Sequence, residues 1–138
     1  YVLTNNFSGQ IEINILFDLV LIIDASIKNI NPNKWRFIDQ FAFLNKKVRI
    51  GLTRTRLTKI NQDFKNNFDD TLSKLLNNSY KYENGNRINE MARNMAVVYG
   101  IRNKGAHSIL PNEIIWKEFN KIKQCCFNTL FIIVQSLY

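Results

Sequence analysis

The residues of this chain that are best suited to chemistry lie in the segment 101–108, IRNKGAHS. Arg102 is followed directly by Asn103, and His107, the single histidine of the chain, comes five positions after the arginine. A guanidinium group binds phosphate oxygens through several N–H donors, and an imidazole exchanges protons near neutral pH. Held together, these side chains would stabilise a phosphate group and move a proton beside it.

The same segment also has the features of an ordinary helix end. Five residues spaced by three or four predict one helical stripe that stops at the arginine, namely Ile88, Met91, Met95, Val98 and Arg102. Gly105 stands where a terminating glycine belongs, and a reversal there would bring His107 back toward the last turn. Basic residues near a helix C-terminus are stabilised by about 0.3–1 kcal/mol each. Both interpretations, a helix end and a reactive pair, remain open at this point.

The elements that must position these residues are all predicted to be helices. Helical periodicity covers about 9–30, 34–48, 53–78 and 86–103, and a last helix runs from Asn112, a suitable N-cap, to the end. The first helix is apolar on most sides, which predicts that it lies in the middle of the molecule. With 138 residues and no internal repeat, residues 1–138 are expected to form a single all-α domain, an up-and-down bundle of about five helices.

The charge of the chain indicates a polyanionic partner. Lysine and arginine number 19 against 11 acidic residues, a formal net charge of +8, which favours nucleic acid, an anionic membrane face or an acidic protein. The densest basic run, residues 46–59, contains no acidic residue and is predicted to contact phosphates outside the reactive pair. Its cations are Lys46, Lys47, Arg49, Arg54, Arg56 and Lys59. The alternative is a solvated helix end followed by a loop.

Several functional classes are excluded by what the sequence contains. The adjacent Cys125 and Cys126 cannot bridge each other without strain and are two thiols short of a zinc site, so we expect reduced, buried thiols in a cytoplasmic protein. The most apolar stretch, INILFDLVLIID, is interrupted by Asp18 and too short to span a membrane. No group of Asp, Glu and His has metal-ligand spacing, so neither a metal nor a cofactor is predicted.

The motif RNKGAH resembles that of the HEPN superfamily, in which a polar residue commonly follows the arginine and a histidine comes after four to six residues. The resemblance implies a HEPN-like bundle of four or five helices with the motif near the end of the penultimate helix. It also implies a metal-independent endoribonuclease that dimerises. In that family pattern Arg102 binds the scissile phosphate, His107 assists proton transfer at the 2′-OH or leaving oxygen, and Asn103 orients the pair. Lys104 and Tyr99 are also predicted to contact the RNA, and the alternative for Tyr99 is packing in the core.

Two further features refine this expectation. RNA cleavage through its own 2′-OH needs an acid and a base, and one histidine per chain supplies only one of them, which favours a homodimer. The antitoxin-paired branch of the family carries a tyrosine two residues after the histidine, where this chain has Ile109. The motif therefore looks more like the abortive-infection and CRISPR-ancillary members, with a role in defence or growth arrest. Because the chain begins at Tyr1, we expect a domain from the C-terminal part of a longer protein, preceded by a sensor domain.

Two alternatives remain open from the sequence. One is a HEPN-type domain that binds RNA or a nucleotide without cleaving it. The other is a helical dimerisation module whose basic charge is incidental. The second alternative predicts a broad apolar face on the last helix and an arginine and histidine that lie far apart.

Overall fold

A computed structural model of the chain describes residues 2–30, 32–33, 36–105 and 112–137. These residues are predominantly helical, and their only β-type pairing is an isolated antiparallel bridge between Lys81 and Arg87. The predicted all-α class is therefore confirmed for the described part of the chain.

The described ranges contain seven helices. They are α1 (Val2–Ile30), α2 (Phe37–Val48), α3 (Arg54–Asn66), α4 (Phe68–Leu76), α5 (Glu90–Lys104), α6 (Glu113–Lys117) and α7 (Phe119–Leu137). The count exceeds the predicted five because two of the predicted helices are each divided by a break in the backbone.

The long third helix predicted over 53–78 is divided at Asn67. This residue is extended (φ −156°, ψ 94°), and its backbone N–H donates to the Asp63 carbonyl at 2.9 Å, which ends α3. Its side-chain oxygen accepts from the Asp70 N–H at 3.1 Å and so caps α4. Asparagine favours such breaks because its side chain competes for backbone donors. The hydrophobic periodicity continues across the break, which is why it suggested one helix.

Asparagine caps also set the start of two later helices. The Asn89 side chain accepts from the Ala92 N–H at 2.9 Å, so α5 begins at Glu90 rather than near residue 86. The predicted cap at Asn112 is confirmed, because its side chain accepts from the Ile115 N–H at 3.1 Å. A turn at Glu118 then separates the short α6 from α7.

The centre of the bundle is α5, which packs against α1, α3, α4 and α7. Residues 94–101 are all buried, so this helix is surrounded on every side over two turns. The prediction that the first helix occupies the middle is wrong, because α1 exposes Ile11, Ile15, Leu21 and Ile22. Apolar residues all round a helix do not distinguish a central helix from one whose outer face is also apolar.

The contact between α3 and α5 is unusually close at Gly100. A Cβ atom placed on this glycine would lie 2.3 Å from the ring of Phe64, which is far inside van der Waals contact. The absence of a side chain at Gly100 therefore lets Phe64 pack directly on the backbone of α5.

The two thiols are buried, as the sequence predicts. Cys125 and Cys126 are free and buried, and burial raises the pKa of the Cys126 thiol to about 12. None of the helices in the described ranges has the length and apolarity needed to cross a membrane.

Candidate nucleic-acid interface

The central helix ends where the sequence predicted, and its last turn reaches the surface. Gly105 terminates α5 with φ +82°, a backbone conformation that favours glycine. Of the predicted stripe, Ile88, Met95 and Val98 are buried, whereas Met91 is 42% exposed. The stripe thus leads from the core to Arg102. Asn103 and Lys104 follow in the same last turn, so the three polar residues lie at one end of the bundle.

Arg102 and Asn103 differ in their exposure to solvent. Arg102 is half-buried and its Nε atom is shielded from solvent, while Asn103 is exposed. A half-buried guanidinium keeps some donors at the surface while its stem packs on the protein. This arrangement suits a group that must hold a fixed position and still bind an anion.

Asn103 lies one helical turn after Tyr99 and acts on its hydroxyl. Burial raises the pKa of Tyr99, and hydrogen bonding by the Asn103 amide opposes that effect. The Tyr99 ring is 3% exposed and meets Phe41 edge to face at 5.8 Å. Because the ring lies in the core, it offers no face for a base to stack on, and its position favours orienting Asn103 over the predicted RNA contact.

The electrostatic environment of Tyr99 brings part of the basic run to this end of the molecule. The charges of Arg54 and Asp39 both act on the Tyr99 hydroxyl, and Arg54 forms an ion pair with Asp39. Arg54 and Asp39 therefore lie close enough to Tyr99 for their charges to act on it, which their positions in the sequence did not reveal.

His107 lies outside the described residues, as do Ser108 and Ile109. The distance between Arg102 and His107 therefore stays a prediction.

The first half of the basic run is exposed at the end of α2. Lys46, Lys47 and Arg49 all face solvent, and Arg49 adopts a left-handed conformation (φ 54°, ψ 47°) that ends the helix. Side chains fix the following loop: Asn45 accepts from the Leu52 N–H at 2.7 Å, and Asn89 donates to the Ile50 carbonyl at 2.7 Å. These three cations are therefore displayed on an anchored loop and helix end.

The second half of the run is engaged by other groups of the protein, and Arg54 is itself exposed. Besides the pair between Arg54 and Asp39, Arg56 donates to the Gly51 carbonyl at 2.7 Å and lies 4.2 Å from the centre of the Tyr82 ring. Lys59 pairs with Asp63 at 3.0 Å and Glu83 at 3.8 Å, and the hydrogen bond to Asp63 raises the pKa of Lys59. The acidic partners come from outside the run, so its net positive charge overstates the number of cations available to RNA.

A groove beside the end of α5 contains residues that the sequence prediction missed. It has a volume of about 410 Å³. Its walls are formed by α3, α5 and the first residue of α4 through Asn61, Phe64, Lys65, Phe68, Asn103 and Lys104. The Lys104 ammonium lies 4.5 Å from the centre of the Phe68 ring. We call this feature the acid-free groove, because none of its lining residues is acidic.

The sequence contains the groove residues of α3 and α4 at helical spacing, but that spacing is equally explained by packing of the core. Phe64 and Phe68 belong to the predicted core stripe, and their rings do pack together at 5.3 Å. Asn61 and Lys65 are spaced by one helical turn on a neighbouring face. Nothing in the sequence predicts that this face meets Asn103 and Lys104.

In the described ranges, no three His, Cys, Asp or Glu side chains come together in a group that could bind a metal ion. Comparison of the chain with protein-family models, with characterised proteins and with solved structures gives no significant match. Its function is therefore inferred from its own residues.

Proposed function

We propose that this protein is a HEPN-like, metal-independent endoribonuclease that cleaves single-stranded RNA through the ribose 2′-OH. The observation that carries the proposal is the end of the central helix. There Asn103 and Lys104 line a groove without acidic residues, and the half-buried Arg102 lies in the same helical turn on another face of α5. Such a concentration of donors at one helix end suits a polyanion.

Each residue has a defined step in this proposal. The Arg102 guanidinium binds the scissile phosphate and stabilises the charge that builds up as the 2′-oxygen attacks phosphorus. The 2′-OH gives its proton to one His107, the P–O5′ bond breaks, and the leaving 5′-oxygen receives a proton from a second histidine. The products are a 2′,3′-cyclic phosphate and a 5′-OH. Asn103 orients the phosphate and the imidazole relative to each other.

A second copy of the chain supplies the second histidine. The last helix supports self-association, because α7 exposes Phe127, Phe131 and Val134 at spacings of four and three residues, 46%, 63% and 53% exposed respectively. A helical dimerisation module predicts the same apolar face, so this row supports a dimer and does not by itself favour cleavage. Apolar side chains in such a row are common at protein interfaces. The two free, buried thiols support the predicted cytoplasmic location, and a role in defence or growth arrest follows from the resemblance to HEPN domains.

A second candidate function is RNA or nucleotide binding without cleavage. The acid-free groove favours it, because the lysines and amides that line it would bind RNA whether or not His107 completes a reactive site. The two candidates differ in a single measurable property, the formation of cyclic phosphate ends.

The test is incubation of the purified chain with end-labelled single-stranded RNA in EDTA, beside Arg102→Ala and His107→Ala. Arg87→Ala is the matched control, because Arg87 is exposed and belongs to the loop before α5. We expect Arg102→Ala and His107→Ala each to lower the cleavage rate by about 100-fold or more, with Arg87→Ala close to wild type. The cut ends should resist phosphatase until acid opens the cyclic phosphate.

The outcome separates the candidates. Equal cleavage by the wild type and both variants would assign the activity to a contaminant. An RNA panel that the wild type binds but does not cut would favour the binding function. Sedimentation of the same samples measures the oligomeric state, and a strictly monomeric active protein contradicts the composite site.

A further inference from the structure

The acid-free groove differs from a general basic surface in the variety of groups that it offers. It combines two lysines, two side-chain amides and two phenyl rings within about 410 Å³. An anion alone needs only the lysines. The amides and rings add hydrogen-bonding edges and an apolar surface, a combination that matches a nucleotide.

The apolar floor of the groove is closely packed. Phe64 is 7% exposed and lies against the backbone of Gly100, and Phe68 packs beside it with ring centres 5.3 Å apart. Because little of Phe64 is exposed and Lys104 lies over the Phe68 ring, the floor offers apolar contact to a ribose or a base edge rather than a face for stacking.

The two cations of the groove keep their charge available. Lys65 is exposed near the end of α3, and the Lys104 ammonium is held over the face of Phe68 rather than beside a carboxylate. A cation over an aromatic ring stays positively charged and accessible from its other side. Both ammonium groups can then approach a phosphate that enters the groove.

The amides of the groove provide neutral hydrogen bonds. Asn61 lies on α3, and Asn103 lies across from it on α5. An amide group carries both a donor and an acceptor, as the edges of bases and the 2′-OH of ribose require.

From these observations we infer that the acid-free groove binds one nucleotide of the single-stranded RNA, on the face of α5 turned away from Arg102. The inference rests on the proposed function, because RNA is the substrate there and the groove would hold a nucleotide of it outside the scissile position. A single-stranded nucleotide exposes its base and ribose to these groups, whereas the bases of a duplex are stacked and paired. Lys65 and Lys104 contact the phosphate, Asn61 and Asn103 contact the ribose and base, and the rings of Phe64 and Phe68 form the floor.

The experiment is titration of the isotope-labelled protein with each of the four 5′-nucleoside monophosphates, observed by amide NMR. No cleavage is needed for this readout, so an absence of ribonuclease activity and an absence of groove binding are separate results. We expect the largest shifts at the amides of Gly100, Asn103 and Asn61. Inorganic phosphate and a penta-glutamate peptide serve as competing probes and should bind at least about tenfold more weakly.

Two matched pairs of variants test the assignment. Asn61→Asp places a carboxylate in the groove, while Asn66→Asp makes the same charge change at an exposed position of α3 outside it. Lys65→Ala removes a groove cation, while Lys74→Ala removes an exposed cation of α4. We expect Asn61→Asp and Lys65→Ala to weaken nucleotide binding roughly tenfold, and the two controls to stay within about twofold. Dispersed NMR spectra confirm that each variant is folded.

Three results would overturn the inference. The first is nucleotide-induced shifts centred on residues 46–59 instead of the groove. The second is binding of phosphate or penta-glutamate that equals nucleotide binding, which would reduce the groove to an anion site. The third is an equal loss of affinity in both members of each matched pair, which would show only a general effect of net charge.

Discussion

Two grooves of equal volume, about 410 Å³ each, lie against α3 and differ in how their charges are used. The acid-free groove faces α5. The second, which we call the self-paired groove, faces α4 and the loop after it and is lined by Asp63, Asp70, Lys74 and Tyr80. There Asp63 accepts from Tyr80 at 2.6 Å and pairs with Lys59 at 3.0 Å, while Asp70 pairs with Lys74 at 3.0 Å.

The difference teaches that the number of lysines does not measure the capacity of a surface to bind anions. Each groove contains two lysines in its lining. In the self-paired groove two carboxylates balance them, and Lys74 is already engaged. In the acid-free groove the cations have no acidic neighbour in the lining, so the positive potential extends into solvent.

The largest expected effect concerns the floor of the acid-free groove. Gly100→Ala gains helix propensity of about 1 kcal/mol, but the new Cβ would meet the Phe64 ring at 2.3 Å. We expect a net destabilisation of about 1–3 kcal/mol in urea unfolding, because overpacking forces α3 and α5 apart.

The companion variant Phe64→Leu shows whether that contact is the cause. In the double variant the smaller side chain leaves room for the alanine, so its loss should be smaller than the sum of the two single losses by about 1 kcal/mol. Additive losses would mean that the contact between Phe64 and the new alanine is not the cause. A Gly100→Ala protein as stable as wild type would mean that the Phe64 ring moves aside at no cost.

The next effect concerns the self-paired groove. Tyr80→Phe removes the hydrogen bond to Asp63, and we expect a loss of about 1–2 kcal/mol near neutral pH, because hydrogen bonds to charged groups contribute more than neutral ones. Tyr80 is 4% exposed, so solvent replaces the lost hydroxyl poorly. RNA binding should be unchanged, since the proposed RNA contacts lie outside this groove.

Alkaline pH provides an independent check on Tyr80. Burial and the hydrogen bond to Asp63 raise the pKa of Tyr80 far above its ordinary value, which is about 10 in the unfolded chain. Above pH 10 the unfolded state therefore binds fewer protons than the native state, and stability falls as the pH rises, by about 1.4 kcal/mol per unit. Tyr80→Phe has no hydroxyl to titrate at this position, so its free energy of unfolding does not fall for this reason. The difference in stability between the two proteins should therefore disappear near pH 11. Parallel stability curves for the two proteins would contradict the assignment.

The smallest expected effect comes from removing one acidic residue from the self-paired groove, which makes its charge more like that of the acid-free groove. Asp70→Asn releases Lys74 from its ion pair, whereas Asp69→Asn makes the same charge change one residue earlier on α4. We expect Asp70→Asn to raise RNA affinity about twofold above the Asp69→Asn control, with a stability change below about 0.5 kcal/mol. Filter binding of labelled RNA at low salt measures the difference. Identical affinities would show that pairing with Asp70 does not limit Lys74.

The helical character and two of the helix boundaries were predictable from the sequence because they depend on local interactions. Gly105 ends α5 and Asn112 caps α6, as local residue preferences indicate. The break at Asn67 was missed because the hydrophobic spacing from Phe64 to Phe68 continues through it. The central place of α5 was also missed, since the apolar character of the first helix suggested that position for α1.

The candidate site was only partly predictable. The sequence identified Arg102 and Asn103 at a helix end, and the structure places them there. It did not reveal that Asp39 and Glu83, both distant in sequence, pair with cations of the basic run. A run without acids therefore looked more available to RNA than it is.

The sequence by itself determined that this protein is helical and that it is basic. It also determined that polar residues occupy the last turn of α5. These properties depend on hydrophobic spacing, total charge and residues within one or two turns of each other. Only the tertiary structure decided which cations remain accessible, and it joined Lys65 to Lys104 in one groove. The reason is physical, because counter-charges and groove walls come from residues that only the packing of α3 against α5 brings into contact.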